Sequence, residues 1–171
     1  MFGDLHIHMI LDGVYYRAAI DAQKEHPLDG LVRARLSDYQ ARGVCLLRDG
    51  GDAWGVSLRA RELAGEYGID YRSPAFPIYR RGHYGAFIGR GFDTEDEYRA
   101  LLDEAGEKRA DFIKLMISGL IDFDHFGVLT EPGPEPQDIR RMIELAHAAG
   151  FAVMAHANGD RAVTAALQAG V

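Results

Sequence analysis

Short apolar segments alternate with amphipathic segments of helical length along the whole sequence. Four helical-looking segments end in a glycine followed by a β-branched or aromatic residue: Gly43-Val44, Gly68-Ile69, Gly150-Phe151 and Gly170-Val171. Glycine tolerates the left-handed conformation that ends a helix, whereas Val, Ile and Phe favour the strand that follows. The alternation predicts βαβ units and a parallel sheet.

Five strands are predicted, at residues 4–9, 44–48, 69–76, 112–116 and 151–157. Between them, apolar residues recur at helical spacing and predict core-facing stripes. The stripes are Tyr98, Leu101, Leu102 and Ala105, then Ile139, Met142, Ile143 and Ala146, then Val163, Ala166 and Leu167. The predicted helix starts are a Thr94-x-x-Glu97 capping box, Pro136, and Asp160 as an N-cap.

The number of units decides the predicted architecture. The 171 residues hold five units of about 34 residues, so eight units would need about 270, close to the ~250 of a TIM-type barrel. We therefore expect an α/β fold, a TIM-type (β/α)8 barrel of which this chain supplies about the first five β/α units. Residues 1–171 would form one barrel domain, incomplete at its C-terminus. The rival fold, a doubly wound sheet, predicts a Gly-rich phosphate-binding first turn, which Ile10-Leu11-Asp12-Gly13 does not supply.

Composition narrows the possible partners. The chain has 19 basic and 26 acidic residues, a net charge of −7, and no basic stripe, so no nucleic-acid partner is expected. Cys45 is the single cysteine, which excludes an internal disulfide and suits a reducing compartment. The sequence shows neither a signal-peptide pattern nor an apolar run of membrane length. A cytoplasmic protein without membrane association is expected.

Candidate metal ligands lie at three predicted strand ends. His6 and His8 are two residues apart, so both point to one side of their strand, as does Asp4. Lys114 lies in an otherwise apolar strand, where burial would favour a neutral amine able to form a carbamate, unless its head reaches water. His156 ends the fifth predicted strand. Each residue alone is more often structural, but together they predict a shared divalent-metal site.

The motifs around these residues resemble those of the amidohydrolase superfamily, in its imidazolonepropionase- and prolidase-like branch. They are Asp4-Leu5-His6-Ile7-His8, the segment 43–51 (GVCLLRDGG), the segment 110–116 (ADFIKLM) with Ser118-Gly119, and the segment 153–157 (VMAHA) with 165–171 (AALQAGV). The resemblance covers nearly the whole chain in order.

The resemblance implies a metal-dependent hydrolase with two divalent metal ions, zinc being expected. His6 and His8 would hold the more buried ion, a carboxylated Lys114 would bridge as the catalytic ligand, and His156 would hold the second. The nucleophile would be a bridging hydroxide that attacks the metal-polarised carbonyl carbon of an amide, cyclic amide or N-acyl substrate, so that its carbon–nitrogen bond breaks. The family also uses a histidine after the sixth strand and an aspartate after the eighth. A C-terminal continuation, or a second chain in a homo-oligomer, would have to supply both.

The donor-rich segment after the third predicted strand supplies the substrate-binding candidates. Related enzymes have a Gly-His element here, so His83 and Tyr84 are expected to contact a small-molecule substrate. Arg80 and Arg81 would either favour an anionic substrate or be ordinary surface charge. His26, His125 and His147 have no spacing that ties them to the site. Two other functions remain open: an ester, lactone or phosphoester hydrolase with the same metal centre, or a non-catalytic half-barrel that binds metal or a partner.

Overall fold

The computed structural model describes residues 2–171. The chain divides into two compact units, one that ends at Phe76 and a second, Pro77–Val171. Within the described residues, no helix has the length and apolar character needed to cross a membrane.

The first unit is a three-stranded parallel sheet with helices between its strands. Its strands are β1 (Phe2–Ile7), β2 (Val44–Asp49) and β3 (Asp70–Arg72), in the order β1-β2-β3. Its helices are α1 (Tyr16–Asp21), α2 (Asp29–Ala41) and α3 (Val56–Ala64), and a 3-10 turn (Gly65–Tyr67) follows α3. Val32 and Leu36 of α2, Leu47 of β2 and Ala60 of α3 are fully buried, so the helices cover the sheet through these apolar side chains.

The second unit is a four-stranded parallel sheet. Its strands are β4 (Pro77–Arg80), β5 (Arg90–Phe92), β6 (Ile113–Met116) and β7 (Val153–His156), in the order β5-β4-β6-β7. Its helices are α4 (Glu95–Glu107), α5 (Pro136–Ala148) and α6 (Gly159–Ala169). All four residues of β6 are buried, as expected for a central strand of a parallel sheet.

The predicted α/β class with parallel strands is confirmed, but the described residues form seven strands rather than five. The third predicted strand, 69–76, is reduced to β3 because Pro74 has no N–H to donate and Ala75 has a positive φ of 65°. The chain becomes extended again at β4, which lies outside the five predicted strands. The first predicted strand, 4–9, is shifted: β1 ends at Ile7, so His8 follows the strand.

The helix predictions hold for α5 and in part for α4 and α6. α5 begins at Pro136, and its predicted stripe is buried. In α4, Thr94 Oγ1 accepts the N–H of Glu97, while the Glu97 carboxylate reaches the N–H of Asp93 rather than that of Thr94. The N-cap of α6 is Asn158, not Asp160. Its predicted stripe is wrong at two positions, because Val163 and Leu167 are exposed and the buried residues are Ala162, Ala165 and Ala166.

Candidate metal centre and substrate-binding residues

The two histidines of the first motif lie side by side at the carboxyl end of β1. Their ring centroids are 5.6 Å apart, with the ring planes tilted by 55°. His6 is exposed and its N–H donates to Asp4 Oδ1 over 3.2 Å, whereas His8 is half-buried. His8 also lines an open cavity of about 420 Å³ with Met9, Leu11, Arg35 and Tyr39, among others. Both imidazoles are therefore accessible to a solute in this unit.

The ring of His8 is oriented by the backbone that follows β2. Its Nδ1 lies 3.0 Å from the carbonyl oxygen of Gly51. A carbonyl can only accept, so this contact favours the tautomer with the proton on Nδ1. Gly50 packs against the same ring so closely that a Cβ there would lie 2.3 Å from His8 Cε1. Gly50 and Gly51 together therefore fix the position of the His8 ring.

Asp49, the last residue of β2, binds backbone groups of the residues that adjoin His8. Its carboxylate is fully buried and accepts the N–H of Gly51 over 2.6 Å and the N–H of Met9 over 3.0 Å. The hydroxyl of Tyr71 also donates to it. Asp49 therefore fixes both the residue after His8 and the residue that orients the His8 ring. The sequence prediction gives no role to this residue, although it lies inside the quoted Arg48-Asp49-Gly50-Gly51 motif.

Burial governs the electrostatics of this region. It raises the pKa of Asp49, an effect partly offset by the Tyr71 hydroxyl and by the two backbone donors. Burial and the negative charge of Asp49 together raise the pKa of Asp52 to about 6. Asp52 in turn accepts the N–H groups of Trp54, Val56 and Ser57, the last two of which begin α3. Both carboxylates therefore stabilise the loop after β2 through backbone donors.

In the second unit, Lys114 and His156 share one face of the sheet. Lys114 is opposite Met154 in the β6–β7 register, and Met116 is opposite His156. Paired residues point to the same side of a sheet, and side chains alternate along a strand. Lys114 and His156 therefore lie on the same side, in successive pairs of that face. Lys114 is fully buried, so its amine does not reach water at the strand end.

Two polar groups lie within hydrogen-bond distance of the Nε2 atom of His156. It lies 3.3 Å from the carbonyl oxygen of Gly119 and 3.2 Å from Nδ2 of Asn158. Asn158 is itself fixed, since its Nδ2 donates to the Gly119 carbonyl over 2.9 Å and its N–H donates to Ser118 Oγ over 2.7 Å. Burial lowers the pKa of His156, which keeps the imidazole neutral, the form that binds metals.

The two substrate-binding candidates follow β4 in a tight turn. His83 N–H donates to the Arg80 carbonyl over 3.0 Å. The Tyr84 ring lies over His156, with 5.1 Å between ring centroids and a tilt of 35°. The turn packs tightly on the sheet, because a Cβ on Gly85 would lie 2.6 Å from Tyr79 Cβ. The structure therefore brings Tyr84 to a predicted metal ligand of the same unit.

A carboxylate that the sequence prediction does not include holds His83. Glu131 Oε1 lies 2.5 Å from His83 Nδ1, and its Oε2 accepts the N–H of Tyr84 over 3.2 Å. The two residues are 48 positions apart, and no local pattern signals such a pair.

The two arginines of this segment are bound by carboxylates. Arg80 forms an ion pair with Asp138, and Arg81 lies 2.7 Å from Asp93 and 2.8 Å from Glu97. Their exposed ion pairs match the reading of ordinary surface charge rather than that of an anion-binding element.

The residues present suit a divalent metal in type but are divided between the two units. The first unit offers two adjacent imidazoles, and the second offers the half-buried imidazole of His156 and the buried Lys114 on one face. Among residues 2–171, no group of three or more His, Cys, Asp or Glu side chains is placed to hold a metal ion. A carboxylated lysine lies outside those four residue types.

No protein-family profile and no curated protein matches this sequence. Solved structures do match. They include an uncharacterized protein with a TM-score of 0.73 and 24% identity, over 99% of this chain and 45% of that chain. A. niger ochratoxinase matches with a TM-score of 0.70 and 18% identity, over 98% and 45%. A Xaa-Pro dipeptidase with methionine bound in its active site matches with a TM-score of 0.66 and 18% identity, over 98% and 45%.

The chain thus spans less than half the length of each of these three proteins. The likeness extends over almost the whole of the chain, at identities below one quarter. What it establishes is a fold that the chain shares with part of a group of prolidase- and amidohydrolase-like proteins.

Proposed function

We propose that this chain is part of a metal-dependent hydrolase that cleaves a carbon–nitrogen bond in an amide, cyclic amide or N-acyl substrate, within a TIM-type barrel. The observation that carries the proposal is the placement of Lys114 and His156 on one face of adjacent strands, with the Tyr84 ring over His156. The adjacent imidazoles of His6 and His8 support it. So does the fold shared with a Xaa-Pro dipeptidase, whose name describes cleavage of such a bond.

His6, His8, Lys114 and His156 would hold two divalent metal ions, zinc being expected. When bound, the metal would supply a Lewis acid and a water acidic enough to act as a nucleophile near neutral pH. The chain prepares its ligands for this task. The Gly51 carbonyl keeps the proton of His8 on Nδ1, and burial keeps His156 neutral. The buried Lys114 amine would add CO₂ and release one proton, giving a carbamate with two ligand oxygens.

His83 and Tyr84 would bind the substrate. Because Nδ1 of His83 donates to Glu131, Nε2 is the ring nitrogen left to accept a hydrogen bond from a substrate N–H or O–H. The Tyr84 ring lies over His156 and would exclude water from one side of that ligand. Neither residue transfers a proton to the leaving nitrogen in this scheme. That role falls to the aspartate that the family resemblance places after the eighth strand.

The metal content of the full-length protein tests the proposal. Elemental analysis after expression with added zinc should return close to two metal ions per chain. His8→Ala and Lys114→Ala should each lower this content and abolish turnover, because each removes a ligand. His26→Ala and Lys24→Ala change exposed residues of the same types and should leave both measurements unchanged.

A substrate panel then identifies the bond. Xaa-Pro dipeptides and N-acyl amino acids should be hydrolysed faster than matched esters, lactones and phosphoesters. Content well below one metal ion per chain would refute the metal centre. Faster cleavage of the esters would refute the assignment to carbon–nitrogen bonds.

A further inference from the structure

The segment between β6 and α5 carries one carboxylate that reaches the turn after β4. The Glu131 side chain is about one quarter exposed, and both of its oxygens are used. Oε1 lies 2.5 Å from His83 Nδ1 and accepts the N–H of Gly133 over 2.6 Å. Oε2 accepts the N–H of Tyr84 over 3.2 Å. A single side chain therefore binds the ring of His83 and the backbone of Tyr84.

The main chain of Glu131 reaches the surroundings of His156. Its carbonyl accepts the N–H of Gly119 over 2.9 Å. The contact is so close that a Cβ on Gly119 would lie 2.7 Å from the backbone of Glu131. The Gly119 carbonyl in turn lies 3.3 Å from His156 Nε2 and accepts Nδ2 of Asn158. Glu131 is thus connected through its side chain to the substrate-binding candidates and through its backbone to the neighbourhood of a predicted metal ligand.

We infer that Glu131 is a positioning residue, which holds His83 and Tyr84 in place for substrate binding beside His156. This inference rests on the proposed function. A carboxylate can only accept, so it keeps the proton of His83 on Nδ1 and leaves Nε2 as an acceptor for a substrate N–H or O–H. Holding the N–H of Tyr84 with its other oxygen fixes the turn, so the substrate meets a pre-formed surface. Pre-formed contacts lower the entropy lost on binding, so the loss of Glu131 should change mainly KM.

Steady-state kinetics of Glu131→Ala in the full-length protein test the inference. The assay uses the substrate with the highest kcat/KM among a panel of Xaa-Pro dipeptides and N-acyl amino acids. KM should rise about tenfold, the size of one lost hydrogen bond to a charged group, while kcat changes less than about twofold. Glu131→Gln keeps one acceptor and should give an intermediate KM. The zinc content should not change in either variant.

A double-mutant cycle separates positioning from a general structural role. In a His83→Ala background, Glu131→Ala should raise KM by clearly less than it does in the wild type, because one of the two residues it positions is already gone. The matched control is Glu104→Ala, which removes a half-buried carboxylate paired with Arg90 in the same unit and should leave KM unchanged. Equal and additive effects of the two substitutions would overturn the inference.

Nitrogen-15 NMR of the histidine rings decides the inference independently of any substrate. At mildly alkaline pH the wild-type protein should show His83 with its proton on Nδ1, and Glu131→Ala should shift this ring toward the mixture of tautomers found in free histidine. An unchanged His83 spectrum would overturn the role of Glu131. Absence of turnover with every panel member would count against the proposed function, whereas the NMR spectra would still test the role of Glu131.

Discussion

At the scale of single residues, the geometry of His8 depends on the absence of a side chain. Gly50 lies against the imidazole, with an ideal Cβ position 2.3 Å from Cε1 and 2.6 Å from Nε2 of His8. The N–H of Gly50 donates to the Ile7 carbonyl over 2.7 Å, so its backbone is tied to the end of β1. The backbone cannot retreat without breaking this bond, and the ring cannot retreat without leaving the Gly51 carbonyl.

Gly50→Ala should therefore displace the His8 ring. Overpacking of this kind lowers the free energy of unfolding by about 1–3 kcal/mol. Loss of the Gly51 hydrogen bond should weaken zinc binding by about 10–100-fold, as expected for a group that orients a ligand. Chemical denaturation measures the free energy of unfolding, and competition with a zinc chelator measures the zinc affinity.

Gly30→Ala is the matched control. Gly30 lies in α2, and its added Cβ would have no neighbour within 4 Å. Removing a helical glycine should leave zinc affinity unchanged and should stabilise the protein by up to about 1 kcal/mol. Equal zinc affinities for the Gly50 variant and the wild type would show that the ring tolerates the methyl group.

Part of the candidate site could be predicted from local sequence. The sequence predicts that His6 and His8 lie near each other, and their ring centroids are 5.6 Å apart, although β1 ends at Ile7 and strand alternation does not extend to His8. The groups that orient these ligands could not be predicted in the same way. Gly51 is 43 positions from His8, and Glu131 is 48 positions from His83. Such hydrogen bonds depend on how loops meet in space, whereas strand and helix periodicity describes only neighbours along the chain.

At the scale of elements, the sequence predicts a helix well when its buried face is lined by large apolar residues. α5 has this character, and its predicted stripe is buried. α6 instead buries Ala162, Ala165 and Ala166, while Leu167 is 67% exposed. Small residues allow a helix to approach its neighbour closely, but they give a weak signal in a hydrophobic pattern. The sequence prediction misses β4 and β5 for another reason: these short strands (PIYR and RGF) contain proline, glycine and arginine and have no apolar run.

The start of α4 offers a test of element stability. Thr94 Oγ1 accepts the N–H of Glu97 over 3.2 Å, and replacement by alanine leaves that donor without its cap. Thr94→Ala should lower the free energy of unfolding by about 1 kcal/mol. The melting temperature of the full-length protein should fall by about 2 °C. Thr94→Ser retains the hydroxyl and should melt within about 1 °C of the wild type, since serine caps about as well as threonine.

At the scale of the whole molecule, the described residues expose both large apolar side chains and strand edges. In the described residues, β1 pairs only with β2, so its other edge has no strand beside it. Phe2 and Leu5 on this strand are 69% and 50% exposed. In the second unit, β7 pairs only with β6. The hairpin closed by the Ile121–Leu129 bridge also exposes Phe123 and Phe126 almost completely. Exposed edges and apolar patches of this kind promote association between chains.

The 171-residue chain, produced by itself, should therefore self-associate at micromolar concentration and show no hydrolytic turnover. Leu5→Lys should reduce association, because a charge on an edge strand opposes pairing with another chain. Val14→Lys puts the same charge on an exposed residue outside the sheet and should leave the association unchanged. Sedimentation velocity measures the mass of each variant, and thermal melting measures cooperativity. A monodisperse wild-type monomer with a sharp transition and turnover would contradict the expectation. The exposed edges would then need no partner, and a complete barrel would be unnecessary for activity.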